Sequence, residues 1–279
     1  MKLEIWGTAA AEGTPAPFCE CDVCEYARAH RGKNIRTRTQ AIIDDALLID
    51  LSPDTFLHTL RDGRRLCYLD GCLITHPHSD HFAPKELFWC VKSVANMKNP
   101  KPFHLYGSGE VADCLRAEKF DVDVIGLEQS GAIGIHALEV FTPATVAGYR
   151  VTPLRADHPT REPFLYIIEK DGKSIFYATD TGLLPEASLA YLASIDTVFD
   201  AVCYDATYLA READNRYHMN LEGNAKLRDQ LAAFGRVDAH TKHILLHFSH
   251  KGLLSQDALE PIAKERGFIA AYDGMTIEL

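Results

Sequence analysis

The sequence predicts an α/β domain, and three observations carry that expectation. Apolar runs of strand length alternate with helical patterns along the chain. Of the 279 residues, 47% are hydrophobic, ample for a large core. No repeat, low-complexity tract or linker interrupts the pattern, so residues 1–279 read as one domain.

Lys2-Leu3-Glu4-Ile5-Trp6 alternates polar and apolar side chains, the period of a half-buried strand. Gly7 to Pro17, rich in glycine, proline and small residues, is a loop that leads into a polar stretch holding Cys19, Cys21 and Cys24. Gln40 to Asp44 and Ala46 to Asp50 are strands, with a tight turn around Asp45. Asp50 ends the second of them, where a carboxylate can either orient a ligand histidine or cap a turn. Asp54 to Leu60 is a short helix, and Cys72 to Thr75 is an apolar strand. Pro84 suits a first helical turn, and Leu87, Phe88, Val91, Val94 and Ala95 follow at helical spacing.

Pro102 to Leu105 reads as a strand and Gly109 to Glu118 as a helix. Ile125 to Val151 holds short apolar pieces without a clear period and is expected to form strands. Val151 to Ala156 is a strand running into Asp157-His158. Phe164–Glu169 and Lys173–Ala178 form a hairpin through Asp171-Gly172, and the second strand ends at Thr179-Asp180. Thr197 to Cys203 is a strand leading to Tyr204-Asp205. His218 lies in a polar stretch before a helix from Leu221 to Phe234. His243 to Leu246 is a strand ending at His247, with His250 three residues on. Ser255 to Arg266 is helical, and Phe268 to Leu279 closes with strand-like alternation.

The densest chemistry is His76-Pro77-His78-Ser79-Asp80-His81, which puts three imidazoles and a carboxylate on one short loop. Nitrogen and carboxylate oxygen suit borderline and harder divalent ions alike. In an extended segment His76, His78 and Asp80 point the same way, while His81 turns off where a helix begins. His158, Asp180 and His247 each follow an apolar strand, so all can gather at one sheet edge and complete a two-metal site. A carboxylate such as Asp180 can bridge two ions roughly 3.5–4 Å apart.

The other chemistry lies in the eight cysteines. Cys67, Cys72, Cys90, Cys114 and Cys203 are scattered through apolar segments and read as buried reduced thiols. Cys19, Cys21 and Cys24 have the spacing of a structural zinc site that lacks its fourth ligand. His30, His58, His104, His136, His240 and His243 carry no pattern. A net charge of −10 argues against a protein whose main task is gripping a nucleic-acid backbone. No run approaches the ~18 apolar residues of a membrane span, and Met1 to Trp6 does not open a signal peptide. A cytoplasmic protein is expected.

The His-x-His-x-Asp-His motif, followed by isolated His, Asp and His, resembles the metallo-β-lactamase superfamily over nearly the whole chain. The resemblance implies a four-layer αββα sandwich with metals at one edge of two sheets. It assigns His76, His78 and His158 to one metal, Asp80, His81 and His247 to the other, and Asp180 between them. The early cysteines resemble those of the phosphoribosyl cyclic phosphodiesterase subgroup. That likeness implies a structural zinc on Cys19, Cys21, Cys24 and His250. In the phosphodiesterase branches a histidine at the place of His218 contacts the scissile phosphate, supported by an acidic residue at the place of Asp205.

The resemblance thus implies hydrolysis of a small, cyclic phosphodiester to a phosphomonoester. On that resemblance two divalent cations, manganese, zinc or iron, would make hydroxide available from a bridging water, and Asp80 counts with His218 and Asp205 among the expected catalytic residues. His218 assists the leaving alkoxide, oriented by Asp205. The rivals are a nuclease that trims transfer-RNA 3′ ends and a non-catalytic binding protein like those of pyrroloquinoline quinone (PQQ) synthesis. A β-lactamase reading is weaker, since no secretion signal is seen. Whether the chain forms a homodimer is left open.

Overall fold

Successive residues of the strand Lys173–Ala178 are buried on opposite sides. Ile175 and Tyr177 enter one core cluster, Phe176 enters another, and all three are fully buried. A strand with apolar neighbours on both faces must lie inside a layered structure. The computed structural model describes residues 1–90, 94–117 and 123–279.

Two mixed seven-stranded sheets pack face to face. The first contains β1 (Lys2–Gly7), β2 (Gln40–Ile43), β3 (Leu47–Ile49), β4 (Gly71–Leu73), β5 (Phe103–Gly107), β6 (Ile133–Ala137) and, at its far edge, β14 (Met275–Glu278). The second contains β7 (Ala144–Val146), β8 (Tyr149–Arg155), β9 (Phe164–Lys170), β10 (Lys173–Ala178), β11 (Ala201–Asp205), β12 (Lys242–Leu246) and β13 (Ile269–Ala270). Leu3, Ile5, Ile43 and Ile49 of the first meet Val151, Tyr166, Ile168 and Tyr177 of the second. Each fully buried side chain of this size contributes roughly 1.5–3 kcal/mol.

Helices cover both outer faces. α3 (Gly109–Ala117) and α4 (Val124–Gln129) place Val111, Leu115, Val124 and Leu127 against the first sheet. α5 (Glu186–Ser194), α6 (Leu221–Ala233) and α7 (Gln256–Glu265) place Leu192, Leu227, Leu231 and Leu259 against the second. α1 (Asp22–His30) follows the cysteine loop, and α2 (Thr55–Asp62) follows β3. The layers run α, β, β, α, the expected sandwich.

Strand direction decides where chemistry gathers. β3 and β4 run parallel in one sheet, and β10, β11 and β12 run parallel in the other. Open α/β sheets bind ligands beyond the carboxyl ends of their parallel strands. Those ends deliver Asp50, His76, Asp180, Asp205 and His247.

Several local expectations need correction. The stretch after Ser79 turns rather than extends, because the His81 and Phe82 amides both return to the His78 carbonyl. No helix starts at His81. Pro84–Cys90 forms 3-10 turns, whose three-residue period buries Pro84 and Leu87 together and leaves Phe88 partly exposed. Val94 is exposed as well, so the expected helix behind the cluster is not formed as read, and Val91 lies outside the described residues. Glu118, the expected end of α3, also lies outside them. The segment expected to be strands from Ile125 begins as α4, because Asp123 accepts the Gly126 amide at 2.9 Å and caps a helix.

β11 starts only at Ala201, since the Asp200 carboxylate accepts the Ser174 amide and holds residues 197–200 as a connection. The final alternation hides a change of sheet: β13 belongs to the second and β14 to the first. Only Cys72 and Cys203 of the scattered thiols are buried; Cys67, Cys90 and Cys114 are half-exposed. No helix among the described residues is long and apolar enough to cross a membrane.

Candidate metal centre

Asp50, Asp180 and His247 share a backbone conformation that L-residues seldom adopt, with φ of 65°, 60° and 60°. Each stands just beyond a strand, and the left-handed turn lets the chain leave the sheet while the side chain stays at its edge. Such strain persists where the surroundings over-determine it, and it concentrates at functional sites.

Three imidazoles converge first. His78 Nδ1 lies 3.0 Å from His76 Nε2 and 2.9 Å from His158 Nε2. Asp180 Oδ2 lies 3.1 Å from His76 Nε2, and Asp180 Oδ1 lies 3.3 Å from His158 Nδ1. A second group adjoins it: His81 Nε2 is 3.2 Å from His247 Nε2, 3.3 Å from Asp80 Oδ2 and 3.1 Å from Asp180 Oδ2. The extended-segment expectation for Asp80 therefore gives way, since the turn at Ser79 moves it away from His76 and His78 to His81. Asp180 belongs to both groups.

These spacings fit cations. Ligand nitrogens ~2.0–2.1 Å from one ion at tetrahedral angles stand about 3.3–3.4 Å apart. Asp180 Oδ1 is buried and makes no well-aligned hydrogen bond, although His218 Nδ1 and His158 Nδ1 stand 3.0 and 3.3 Å away; a cation would engage it. The protein's own charges also set the rings apart. Burial pushes His76 down to about 3, with His81 adding repulsion. Burial also opposes charge on His81 and His247, but the carboxylates outweigh it, raising His81 well above its ordinary value and His247 to about 9. Burial works against Asp180 too, yet the surrounding imidazoles hold it well below the carboxylate range.

Behind the ligand atoms, Asp50 takes three donors. Its Oδ2 accepts His81 Nδ1–H at 2.7 Å, while Oδ1 accepts the Thr75 amide at 2.8 Å and the Thr75 hydroxyl at 2.9 Å. This is the orienting role, not the turn cap. His218 Nδ1 stands 3.0 Å from Asp180 Oδ1 and 3.1 Å from Asp205 Oδ2. Burial disfavours its charge, but Asp205 and Asp180 together push it up to about 11. Its Nε2 has no protein partner among the described residues. A cleft of about 290 Å³ opens over the cluster, walled by Ala10, Glu12, Pro159, Tyr208, Ser249 and Lys251.

The cysteine site is also assembled. His250 Nδ1 lies 3.4 Å from both Cys19 Sγ and Cys21 Sγ, and Cys24 completes the group. Sulfur and nitrogen sharing a tetrahedral zinc stand about 3.5–3.6 Å apart. The Ala16 amide donates to Cys24 Sγ at 3.3 Å and the Cys21 amide to Cys19 Sγ at 3.5 Å. Burial, with the neighbouring sulfurs, pushes the Cys24 thiol up to about 12, a cost that a cation relieves. Cys24 stands on the first turn of α1, a helix not anticipated in that polar stretch.

Sequence reasoning passed over Thr75, Thr207 and Glu12. Glu12 accepts the Ser249 hydroxyl and stands 3.5 Å from His250 Nε2, so it touches the cysteine site and the cleft wall together. One signal was available for Thr207: it lies two residues after Asp205, the spacing at which an aspartate carboxylate takes the amide of a following turn.

Two layered mixed sheets with histidine and carboxylate clusters at one edge define an αββα protein with a candidate metal centre. The model of the beta-lactamase superfamily domain matches residues 46–248, most of the chain, and the chain belongs to that superfamily. It is similar to coenzyme PQQ synthesis protein B of Methylobacterium radiotolerans, 24% identical over 318 aligned positions and covering 100% of both. Its structure resembles zinc-bound PqqB from Methylobacterium extorquens, with a TM-score of 0.76, 20% identity and 100% of each chain covered. It also resembles a diphosphatase from the PhnP family, with a TM-score of 0.74, 20% identity, and coverage of 100% of this chain and 96% of the other.

Proposed function

We propose that this chain is a metal-dependent phosphodiesterase acting on a small, cyclic phosphodiester. His76, His78 and His158 would hold one divalent cation and Asp80, His81 and His247 a second, with Asp180 shared; Cys19, Cys21, Cys24 and His250 would hold a structural zinc. Manganese, zinc and iron all suit the active-site ligands. Two such cations supply a nucleophile from water at neutral pH and neutralise charge on the phosphate.

One observation carries the phosphodiesterase reading: His218 Nδ1 stands 3.1 Å from Asp205 Oδ2, a buried carboxylate that favours the protonated ring, beside the ligand cluster. With Nδ1–H engaged by Asp205 Oδ2 at 3.1 Å, Nε2–H remains to be given to a leaving alkoxide in the cleft. Asp205 is itself pulled down to about 2, burial opposing and His218 prevailing, so it stays ionised to hold the ring. A panel of cyclic and linear phosphodiesters assayed with manganese, zinc and iron tests the activity. His218→Ala should lower kcat by about 10²–10⁴-fold with both ions retained. Full turnover by that variant would remove the acid role.

The full-length likeness to PQQ synthesis protein B supports a second reading, a binding protein of that kind. Metal analysis separates the two. A single tightly held zinc, with nothing at the histidines, favours the binding protein; ions at the histidine cluster favour the enzyme.

A further inference from the structure

One buried hydroxyl stands where a candidate metal ligand and the candidate acid meet. Thr207 is 6% exposed. Its Oγ1 lies 2.8 Å from His247 Nδ1, 2.9 Å from the His247 carbonyl, 3.1 Å from Asp205 Oδ2 and 3.2 Å from His218 Nδ1. The backbone holds it there: the Thr207 amide donates to Asp205 Oδ1 at 3.1 Å, and its carbonyl accepts the Ser249 amide at 3.3 Å.

A hydroxyl has one proton and two lone pairs. The His247 carbonyl and the Asp205 carboxylate can only accept, so the Thr207 proton goes to one of them. Both lone pairs then face imidazoles, and each ring must present N–H at Nδ1. For His247 this selects the tautomer whose bare lone pair is on Nε2, the atom 3.2 Å from His81 Nε2 and 3.7 Å from Asp180 Oδ2. For His218 it places a second acceptor beside the Nδ1–H that Asp205 Oδ2 takes at 3.1 Å. Among the described residues the only competing acceptor for His247 Nδ1–H is Asp205 Oδ2, longer at 3.4 Å.

We infer that Thr207 is a positioning residue: its one hydroxyl sets His247 in the metal-binding tautomer and ties that ring to His218. A partner that fixes the far nitrogen of a ligand histidine typically changes metal affinity 10–100-fold when removed. Valine has the shape of threonine without the hydroxyl, and serine keeps the hydroxyl, so the pair separates chemistry from packing.

The test uses the zinc-loaded protein with Thr207→Val and Thr207→Ser. Ring-nitrogen NMR of the unsubstituted protein should show His247 protonated at Nδ1. Competition with a chelator should show Thr207→Val weakening one of the two histidine-cluster ions by about 10–100-fold, with Thr207→Ser staying within about threefold. A His247 spectrum with the proton on Nε2 overturns the inference, and so does a valine variant that binds both ions as tightly as the unsubstituted protein. If the valine variant does not fold, the serine variant and the unsubstituted spectrum still decide. The inference rests on the metal-centre reading. Failure of the unsubstituted protein to take up any ion at the histidines sinks that reading, whereas equal binding by both proteins sinks only the role of Thr207.

Discussion

Replacing Asp50 by asparagine keeps the shape of the side chain and changes only what its two tips can do. The carboxylate accepts three donors: the Thr75 amide, the Thr75 hydroxyl and His81 Nδ1–H. Asparagine has one acceptor oxygen and one donor nitrogen. If the oxygen turns to Thr75, the amide nitrogen faces His81 and pushes its proton to Nε2, the atom that points at Asp80, Asp180 and His247. If the oxygen turns to His81, the nitrogen faces the Thr75 amide and leaves two donors opposed. Asp50 is fully buried, so water cannot relieve either arrangement. An unsatisfied buried group costs about 1–3 kcal/mol, and disturbing the partner of a ligand histidine costs about 10–100-fold in metal affinity. Urea unfolding should therefore show Asp50→Asn destabilised by that amount, and chelator competition should show the ion at His81 released first. A variant of unchanged stability that holds this ion within threefold of the original refutes the reasoning.

Other outcomes follow from the same geometry. His58 is fully buried, with Nδ1 2.5 Å from Gln40 Oε1 and Nε2 2.7 Å from the Thr37 hydroxyl; burial, with Arg61 adding repulsion, pushes it down to about 4. Its folded value lies below the unfolded ~6.5, so the unfolded chain binds the extra proton and stability falls as pH drops through that window, by about 2.5 kcal/mol between about pH 7 and pH 4.5. The stability difference between the original protein and His58→Leu should shrink by that amount on acidification; a difference independent of pH removes the linkage. Tyr166 donates to the Ile74 carbonyl at 2.6 Å, tying β9 to the strand end that leads to His76. Tyr166→Phe should cost about 0.5–1.5 kcal/mol in urea, and no measurable change would mean that the Ile74 carbonyl finds another donor. Cys24→Ser should release the zinc of the cysteine site and lower the melting temperature while the histidine cluster still takes up its ions; retention of three ions per chain contradicts the assignment of Cys24 as a ligand.

The six residues from His76 to His81 were legible because most of one half-site is contiguous. His158, Asp180 and His247 were legible because each stands at the end of an apolar run, and strand ends are where parallel sheets converge. The same runs suggest an α/β class, whereas the four-layer sandwich came only from the family resemblance. What stayed hidden depends on distances between elements. Nothing in the order of residues places the Thr207 hydroxyl against His247, which is 40 residues later. Nor does it show Glu12 reaching Ser249. Local errors have a different origin. α4 is a short helix whose cap, Asp123, was not weighed against the apolar residues that follow. The alternation from Phe268 to Leu279 is extended only over Ile269–Ala270 and Met275–Glu278, with a turn at 273–274 between them, and period alone does not say which sheet a strand joins. The chain crosses from one sheet to the other between Ala270 and Met275.

The cysteine site also bears on the order in which the molecule assembles. His250 lies 231 residues after Cys19, so the two halves of the site are among the most distant partners in the chain. Between them come the strands that deliver every histidine and carboxylate of the active-site cluster. Loop closure over such a span forms late and slowly, because little local structure offsets its entropy. On that argument the N-terminal loop would find its place only after β12 has joined the second sheet. Ala10 then accepts its place beside Phe248, and the cysteines find their fourth partner. An ion held by Cys19, Cys21, Cys24 and His250 would therefore close its site only once the sheet edge carrying His247 is in place.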